Sequence, residues 1–289
     1  MVMHFPQAIH NVRKLSVRNW LLIAFFILAG LLLVALIYRY IPTGGDWTRN
    51  LRSGALALLS GKNPYDGNFY NAPWSLIPIL PLAVLPERVG GAILFLAGLV
   101  GYFVLLRKLN ANIFTTLIFI FSPPVLENLR LGNIEWLVML GYLMPPQIGL
   151  FFVLMKPQVG FAMAIYWLVE AWRNGGVRQV LKIFLPVTIA TLLSLVIFGL
   201  WPLKMSRAID VFWNLSLWPL SIPIGLVLLT LAIRRRKASF AYMASPFLSP
   251  YVTLYSYGTV ILGLVSSTWE TLAAVGGLWI AMLVQYLSA

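Results

Sequence analysis

Residues 46–86 read DWTRNLRSGALALLSGKNPYDGNFYNAPWSLIPILPLAVLP, and their pattern decides how the rest of the chain is read. The first third is amphipathic at helical spacing. Trp47, Leu51, Ala55, Leu58 and Leu59 recur every three or four residues on one stripe. Asp46, Arg49, Asn50, Ser53 and Ser60 take the opposite face, with Arg52 at its edge. Gly61 stops this helix, and Asn63-Pro64-Tyr65 cannot continue it. The stretch then runs through Tyr70, Pro73 and Trp74 into an apolar segment broken by Pro78, Pro81 and Pro86. Because an apolar run precedes it, the helix is expected in a membrane interface with its polar face toward water. A carboxylate on such a face, beside a proline-rich re-entry into the bilayer, reads as a site rather than a linker.

The chain is 60% hydrophobic and 10% charged, whereas soluble domains carry roughly 25% charged residues. That excludes a soluble globular protein. It predicts a single all-α polytopic membrane domain over residues 1–289, with about ten transmembrane helices. The net charge of +13 fits basic cytoplasmic loops and anionic headgroups. Its basic residues are scattered between apolar runs, so membrane lipids are expected partners and nucleic acid is not. The absence of cysteine excludes disulfides, thiolate metal sites and cysteine nucleophiles.

Residues 1–19, with Arg13, Lys14 and Arg18, are expected on the cytoplasmic side, and His4 and His10 there are read as solvated. Residues 20–38 form the first span, an uncleaved anchor too long for a signal peptide. Residues 41–73 then become the first external loop. Trp74 to Pro86 is expected to be a short, tilted or broken span, and Val89 to Leu106 a clear one, its glycines permitting close helix packing. Strict alternation places the following Arg107-Lys108 pair outside, as an exception to the charge rule. Ile148 to Trp172 carries Lys156-Pro157 deep within it; Lys156 either reaches the nearer interface or faces an internal cavity. Arg173, Arg178 and Lys182 mark a cytoplasmic loop, and Arg234 to Lys237 is the strongest cytoplasmic anchor. Tyr251 and Tyr255 share a face after two Ser-Pro steps, and Trp269 to about Leu287 closes the chain.

The eight acidic residues allow a candidate general base to be sought by elimination. Glu87 adjoins Arg88, Glu170 adjoins Arg173, and Asp210 is assigned to Arg207. Glu127 and Arg130, at i and i+3, can neutralise each other, and Glu270 completes a capping box with Ser267. Asp66 sits in a loop, and Glu135 follows Gly132-Asn133 without a clear assignment. Asp46 is the best remaining carboxylate, its rival reading being an N-cap for the interfacial helix.

The order of Asp46, Gly61, Asn63-Pro64-Tyr65, Tyr70-Asn71-Ala72-Pro73-Trp74 and Pro81-Leu82-Ala83-Val84-Leu85-Pro86 resembles the mannosyltransferase-like branch (family 87) of the GT-C glycosyltransferases. Gly132-Asn133, Lys156-Pro157 and the Ser-Pro steps before Tyr251 extend the resemblance. It implies a GT-C-like integral enzyme of the plasma membrane. Such an enzyme moves a hexose, mannose in the namesake members, from a polyprenyl-phosphate sugar to an extracytoplasmic acceptor, with no separate cofactor. On that resemblance Asp46 is the catalytic base. Arg49, Arg52 and Lys156 are candidate cations for the leaving phosphate, and Tyr65, Tyr70, Asn133 and Tyr251 complete the candidate substrate site. Asp46 is followed by Trp47 and Thr48 rather than a second aspartate, which argues against a metal-bound nucleotide sugar. The chain is shorter than is usual for the family. Two other classes therefore stay open: a non-catalytic structural subunit of a membrane complex, and a lipid or small-solute transporter.

Overall fold

The computed structural model describes residues 17–205, 211 and 213–288. His4, His10, Arg13, Lys14, Arg207 and Asp210 lie outside the described residues. Described elements are all helical. The first, α1 (Val17–Tyr40), is apolar all round and exposed along most of its length, which is the surface of a lipid-facing helix. Four helices are long and apolar enough to cross a membrane by length and composition. They are α1, α4 (Glu87–Lys108), α9 (Pro157–Phe198) and α14 (Thr268–Ser288).

About ten spans were expected, and the difference comes from helix breaks. Between α1 and α4 lie a π-helical turn (Trp47–Arg52), α2 (Ser53–Leu59) and α3 (Leu80–Ala83). Prolines and glycines then divide the middle of the chain into α5 (Ile113–Ile120), α6 (Pro123–Leu131), α7 (Glu135–Gly141) and α8 (Pro146–Val153). After α9 come α10 (Trp201–Met205), α11 (Ile222–Arg235), α12 (Ala238–Phe247) and α13 (Gly258–Leu262). A helix of seven or eight residues, such as α7 or α8, is roughly 11–12 Å long and cannot cross a hydrocarbon layer of about 30 Å.

Two expectations need correction. Trp74 to Pro86 is not a span: it forms a 3₁₀ turn (Pro73–Leu76) and the four-residue α3. Glu87 lies against Trp47, whose indole Nε1 donates to the Glu87 carbonyl at 2.9 Å. Everything between α1 and α4 therefore stays at one end of the molecule. Arg107-Lys108, at the far end of the 22-residue α4, sits roughly 30 Å from that end. Lys156 is likewise not deep within a helix. It has non-helical φ −134° and ψ 87° as the residue before Pro157, because a proline ring disfavours helical geometry in the residue preceding it.

The 42-residue α9 is two helices joined where Gly175 (φ −177°, ψ 18°) and Gly176 (φ 57°, ψ −148°) leave helical geometry. Its two ends meet the same loop. The Ala72 amide donates to the Met155 carbonyl (3.1 Å), Trp74 Nε1 donates to the Phe151 carbonyl (2.7 Å), and the Trp74 ring packs edge-on to Trp201 at 6.1 Å. A straight helix of that length would separate its ends by about 60 Å, so the chain doubles back at the glycines. Arg173 at the turn donates to the Ile233 carbonyl (2.7 Å), and Arg236 lies 3.9 Å from Glu170. The basic loops thus cluster at one end.

The glycines of α4 make room for indole rings. A Cβ on Gly90 would lie 2.6 Å from Trp47 Cζ2, and one on Gly101 would lie 2.5 Å from Trp136 Cε3. Trp47 is fully buried, which ties the amphipathic segment to α4.

Candidate functional site

Four breaks in the helices converge on one buried polar cluster: the start of the π-turn at Asp46, the α6–α7 junction, the α8–α9 junction and the segment between α12 and α13. Asp46 does not cap its helix. Its backbone is already helical (φ −70°, ψ −35°) and its side chain makes no capping bond. The Oδ2 atom instead accepts a 2.6 Å hydrogen bond from Asn133 Nδ2.

Two glycines make this contact possible. Gly132 ends α6 in the left-handed conformation (φ +68°), and a Cβ there would lie 2.8 Å from Trp47 Cβ. A Cβ on Gly44 would collide with the Leu131 carbonyl group. The backbone before Asp46 and the end of α6 therefore touch directly, with no side chains between them.

The orientation of Asn133 is set by its neighbours. Its Oδ1 accepts from the Lys156 ammonium (2.7 Å) and from the Ile134 amide (2.7 Å), so the NH₂ group is the part left to face Asp46. Lys156 also lies 3.3 Å from Glu135 Oε1 and 4.6 Å from the centre of the Tyr255 ring. Ser256 Oγ donates to Glu135 Oε1 (2.9 Å), leaving Thr253 Oγ1 as the donor in its 3.0 Å contact with Ser256 Oγ. Glu135 is 0% and Lys156 4% exposed. Glu135 begins the short α7, outside the four long apolar helices. Burial raises its carboxyl above the usual range, opposed by the Lys156 charge and by hydrogen bonds from Ser256 and Lys156. Oε2 of Glu135 has no hydrogen-bond partner among the described residues. Lys156 is thus not a snorkelling cation; its contacts go to Asn133, Glu135 and Tyr255.

Asp46 stands apart from the other carboxylates. Asp66 pairs with Lys204 (3.0 Å), Glu87 with Arg52 (3.6 Å), Glu127 with Arg130 (2.7 Å) and Glu170 with Arg173 (3.0 Å). Among the described residues, Asp46 and Glu270 have no basic side chain within ion-pair distance, and Glu270 starts α14, where its amide is 3.5 Å from Ser267 Oγ. The negative charges of Asp46 and Glu135 both act on the phenols of Tyr251 and Tyr255. Chiefly through burial, the Tyr251 phenol is pushed up to about 12, and Tyr70 is close enough to act on it as well. Asp46, Tyr251 and Tyr255 therefore lie within electrostatic reach of one another, and Tyr70 within reach of Tyr251.

The other sequence candidates lie elsewhere. The Tyr65 hydroxyl donates to the Asn71 carbonyl (2.6 Å) and its ring stacks on Trp201 at 5.8 Å, which makes it part of the loop packing. Arg52 Nη2 donates to the Leu85 carbonyl (3.4 Å) besides its contact with Glu87. Arg49 is exposed. Sequence reading left Glu135 unassigned and did not single out Ser256 or Thr253. The available signal was a carboxylate and a lysine in separate apolar runs, each too costly to bury alone.

Comparison of the chain with family models, with curated proteins and with solved structures finds no match.

Proposed function

We propose that the chain is a GT-C-like membrane hexosyltransferase. It moves a sugar, mannose being the first candidate, from a polyprenyl-phosphate donor to an acceptor hydroxyl at the outer face of the plasma membrane. The observation that carries this reading is Asp46: a carboxylate without a cationic partner among the described residues, oriented by the amide of Asn133 where helix breaks meet. The Asp46 carboxylate accepts the proton of the acceptor hydroxyl as its oxygen attacks the anomeric carbon. The bond from that carbon to the phosphate oxygen breaks, and the phosphate leaves as an anion needing cations rather than a proton. The Lys156–Glu135 pair holds Asn133, and through it Asp46, in place.

The proposed topology follows the positive-inside rule. Lys156 lies 17 residues of α9 from Arg173, roughly 26 Å, so the basic end and the Asp46 end are about one hydrocarbon thickness apart. The basic end is assigned to the cytoplasm with the amino terminus.

A second reading has its own support. A buried lysine–glutamate pair at helix breaks is also what an ion-coupled transporter builds. Purified protein in proteoliposomes separates the two. Labelled sugar passing from a polyprenyl-phosphate donor to acceptor on the side of addition supports the transferase. Uptake of solute or lipid without transfer supports the transporter. Neither activity, in a chain recovered in fixed stoichiometry with other membrane proteins, supports the structural subunit.

A further inference from the structure

The Asp46 carboxylate has a polar neighbour on its own helix face. Asn50 follows it by four residues across the π-turn, and side chains at that spacing are neighbours on a helix surface. Trp47 and Leu51, one position further on, form the buried face beside it, whereas Asp46 and Asn50 are half-buried. A second route leads to the same place. Asn71 Nδ2 donates to Asn50 Oδ1 (3.3 Å), and Asn71 directly follows Tyr70, which acts electrostatically on Tyr251 as Asp46 does. Asn71 is itself fixed. It is 3% exposed, its carbonyl accepts from the Tyr65 hydroxyl (2.6 Å), and the next amide, that of Ala72, donates to the carbonyl of Met155 (3.1 Å), the residue before Lys156. With Oδ1 taken by Asn71, the NH₂ group of Asn50 is its unspent donor, without a hydrogen-bond partner among the described residues.

The polar groups at Asp46 divide by role. An ionised carboxylate only accepts, and the NH₂ group of a carboxamide only donates. Asn133 Nδ2 is spent on Asp46, and Asn50 Nδ2 is not. A sugar hydroxyl is donor and acceptor at once, so neighbouring hydroxyls of a pyranose ring offer a proton to a carboxylate and a lone pair to an NH₂ group beside it. We infer that Asn50 is a sugar-contacting residue, donating from Nδ2 to one hydroxyl oxygen of the pyranose bound beside Asp46, and that Asn71 is the positioning residue that turns this donor outward. This rests on the proposed function in taking a hexose as the ligand. It adds hydroxyl recognition by two amides that lie outside the site expected from the sequence.

The test is a saturation-transfer NMR titration of the full chain in phosphatidylcholine nanodiscs. The probes are methyl α-mannoside, methyl α-glucoside and methyl α-galactoside, followed by the monodeoxy derivatives of the tightest binder. Asn50→Ala is expected to weaken the parent glycoside by about three- to tenfold, the loss of one hydrogen bond. One deoxy derivative should bind wild type that weakly and lose nothing further in Asn50→Ala, while the others lose the same factor as the parent. Asn71→Ala should cost no more than Asn50→Ala and add nothing to it in the double variant. A loss shared by every derivative, as a merely structural Asn50 would give, overturns the assignment even where the variant melts lower. Unchanged parent binding in Asn50→Ala, or a wild type that binds none of the glycosides, overturns it as well. Additive losses in the double variant overturn the role of Asn71. Sugar transfer by a protein whose Asn50→Ala variant treats all derivatives alike removes Asn50 alone. A hydroxyl-selective loss in a protein without transfer activity leaves Asn50 standing and removes the transferase.

Discussion

Replacing Lys156 with methionine keeps most of the side-chain length and removes the charge from a pair in which neither partner is more than 4% exposed. Glu135 would keep Ser256 as a donor to Oε1, but Oε2, which has no partner among the described residues, would gain none. Breaking a buried pair by removing one partner costs about 3–5 kcal/mol, because the remaining charge is uncompensated. Replacing both partners is often near neutral. Lys156→Met alone should therefore destabilise by about 3–5 kcal/mol, and Glu135→Gln combined with it should recover most of that loss. The sign of the pH dependence follows from Glu135. Its folded carboxyl titrates above the ordinary value, chiefly through burial, with Lys156 acting to lower it. Without Lys156 the value rises further. The neutral form is then favoured in the fold, so stability is fully present below the unfolded value of about 4.3 and is lost as pH rises through the folded one. Equilibrium unfolding in mixed micelles at several pH values reads both effects. A single variant as stable as the double one at neutral pH, or one that gains stability as pH rises, would refute the coupling.

Further outcomes are expected from the contacts around Asp46. Gly132→Ala meets both a left-handed backbone (φ +68°) and a Trp47 contact at 2.8 Å; it should cost about 2–4 kcal/mol, read by the same unfolding assay. Asn133→Asp places a second carboxylate against Asp46, where the donated bond is 2.6 Å long. Two carboxylates sharing a site raise one titration, so the acidic limb of the transfer rate against pH should move upward, whereas a merely structural Asn133 would leave the limb in place. Because the chain has no cysteine, Gly67→Cys and Lys237→Cys are clean topology probes at exposed positions. An impermeant thiol reagent applied from outside should modify the first and spare the second, and the reverse pattern would invert the orientation.

Local signals were legible in the sequence. Of the stripe Trp47, Leu51, Ala55, Leu58 and Leu59, the first three are buried, Leu58 is half-buried and Leu59 is exposed; Gly61 follows the helix end with φ +70°, and Glu127 pairs with Arg130 as the spacing implied. The long spans 20–38 and 89–106 fall inside α1 and α4. The number of crossings was not legible, because hydropathy does not distinguish one buried helix from two short ones joined at a proline. Lys156-Pro157 shows this: the run is apolar on both sides, yet the proline breaks it and places the ammonium at a junction. Helical-face arithmetic put Asp46 with the solvated residues. Its real partner, Asn133, is 87 positions away, and only the backbone contact at Gly44 and Gly132 brings the two together. Elimination favours Asp46 because most other acids have local explanations, Asp66 and Glu135 excepted. Three of the actual partners are long-range: Lys204 for Asp66, Arg52 for Glu87 and Lys156 for Glu135.

The most direct test of the catalytic proposal is sugar transfer from a polyprenyl-phosphate donor by wild type and by Asp46→Asn. Asparagine keeps the size of the side chain and an oxygen for the Asn133 amide, so insertion and melting should stay close to wild type. Loss of a positioned general base should lower the transfer rate by roughly a hundredfold or more. A folded Asp46→Asn protein that transfers sugar at the wild-type rate would contradict the assignment of Asp46 as the base.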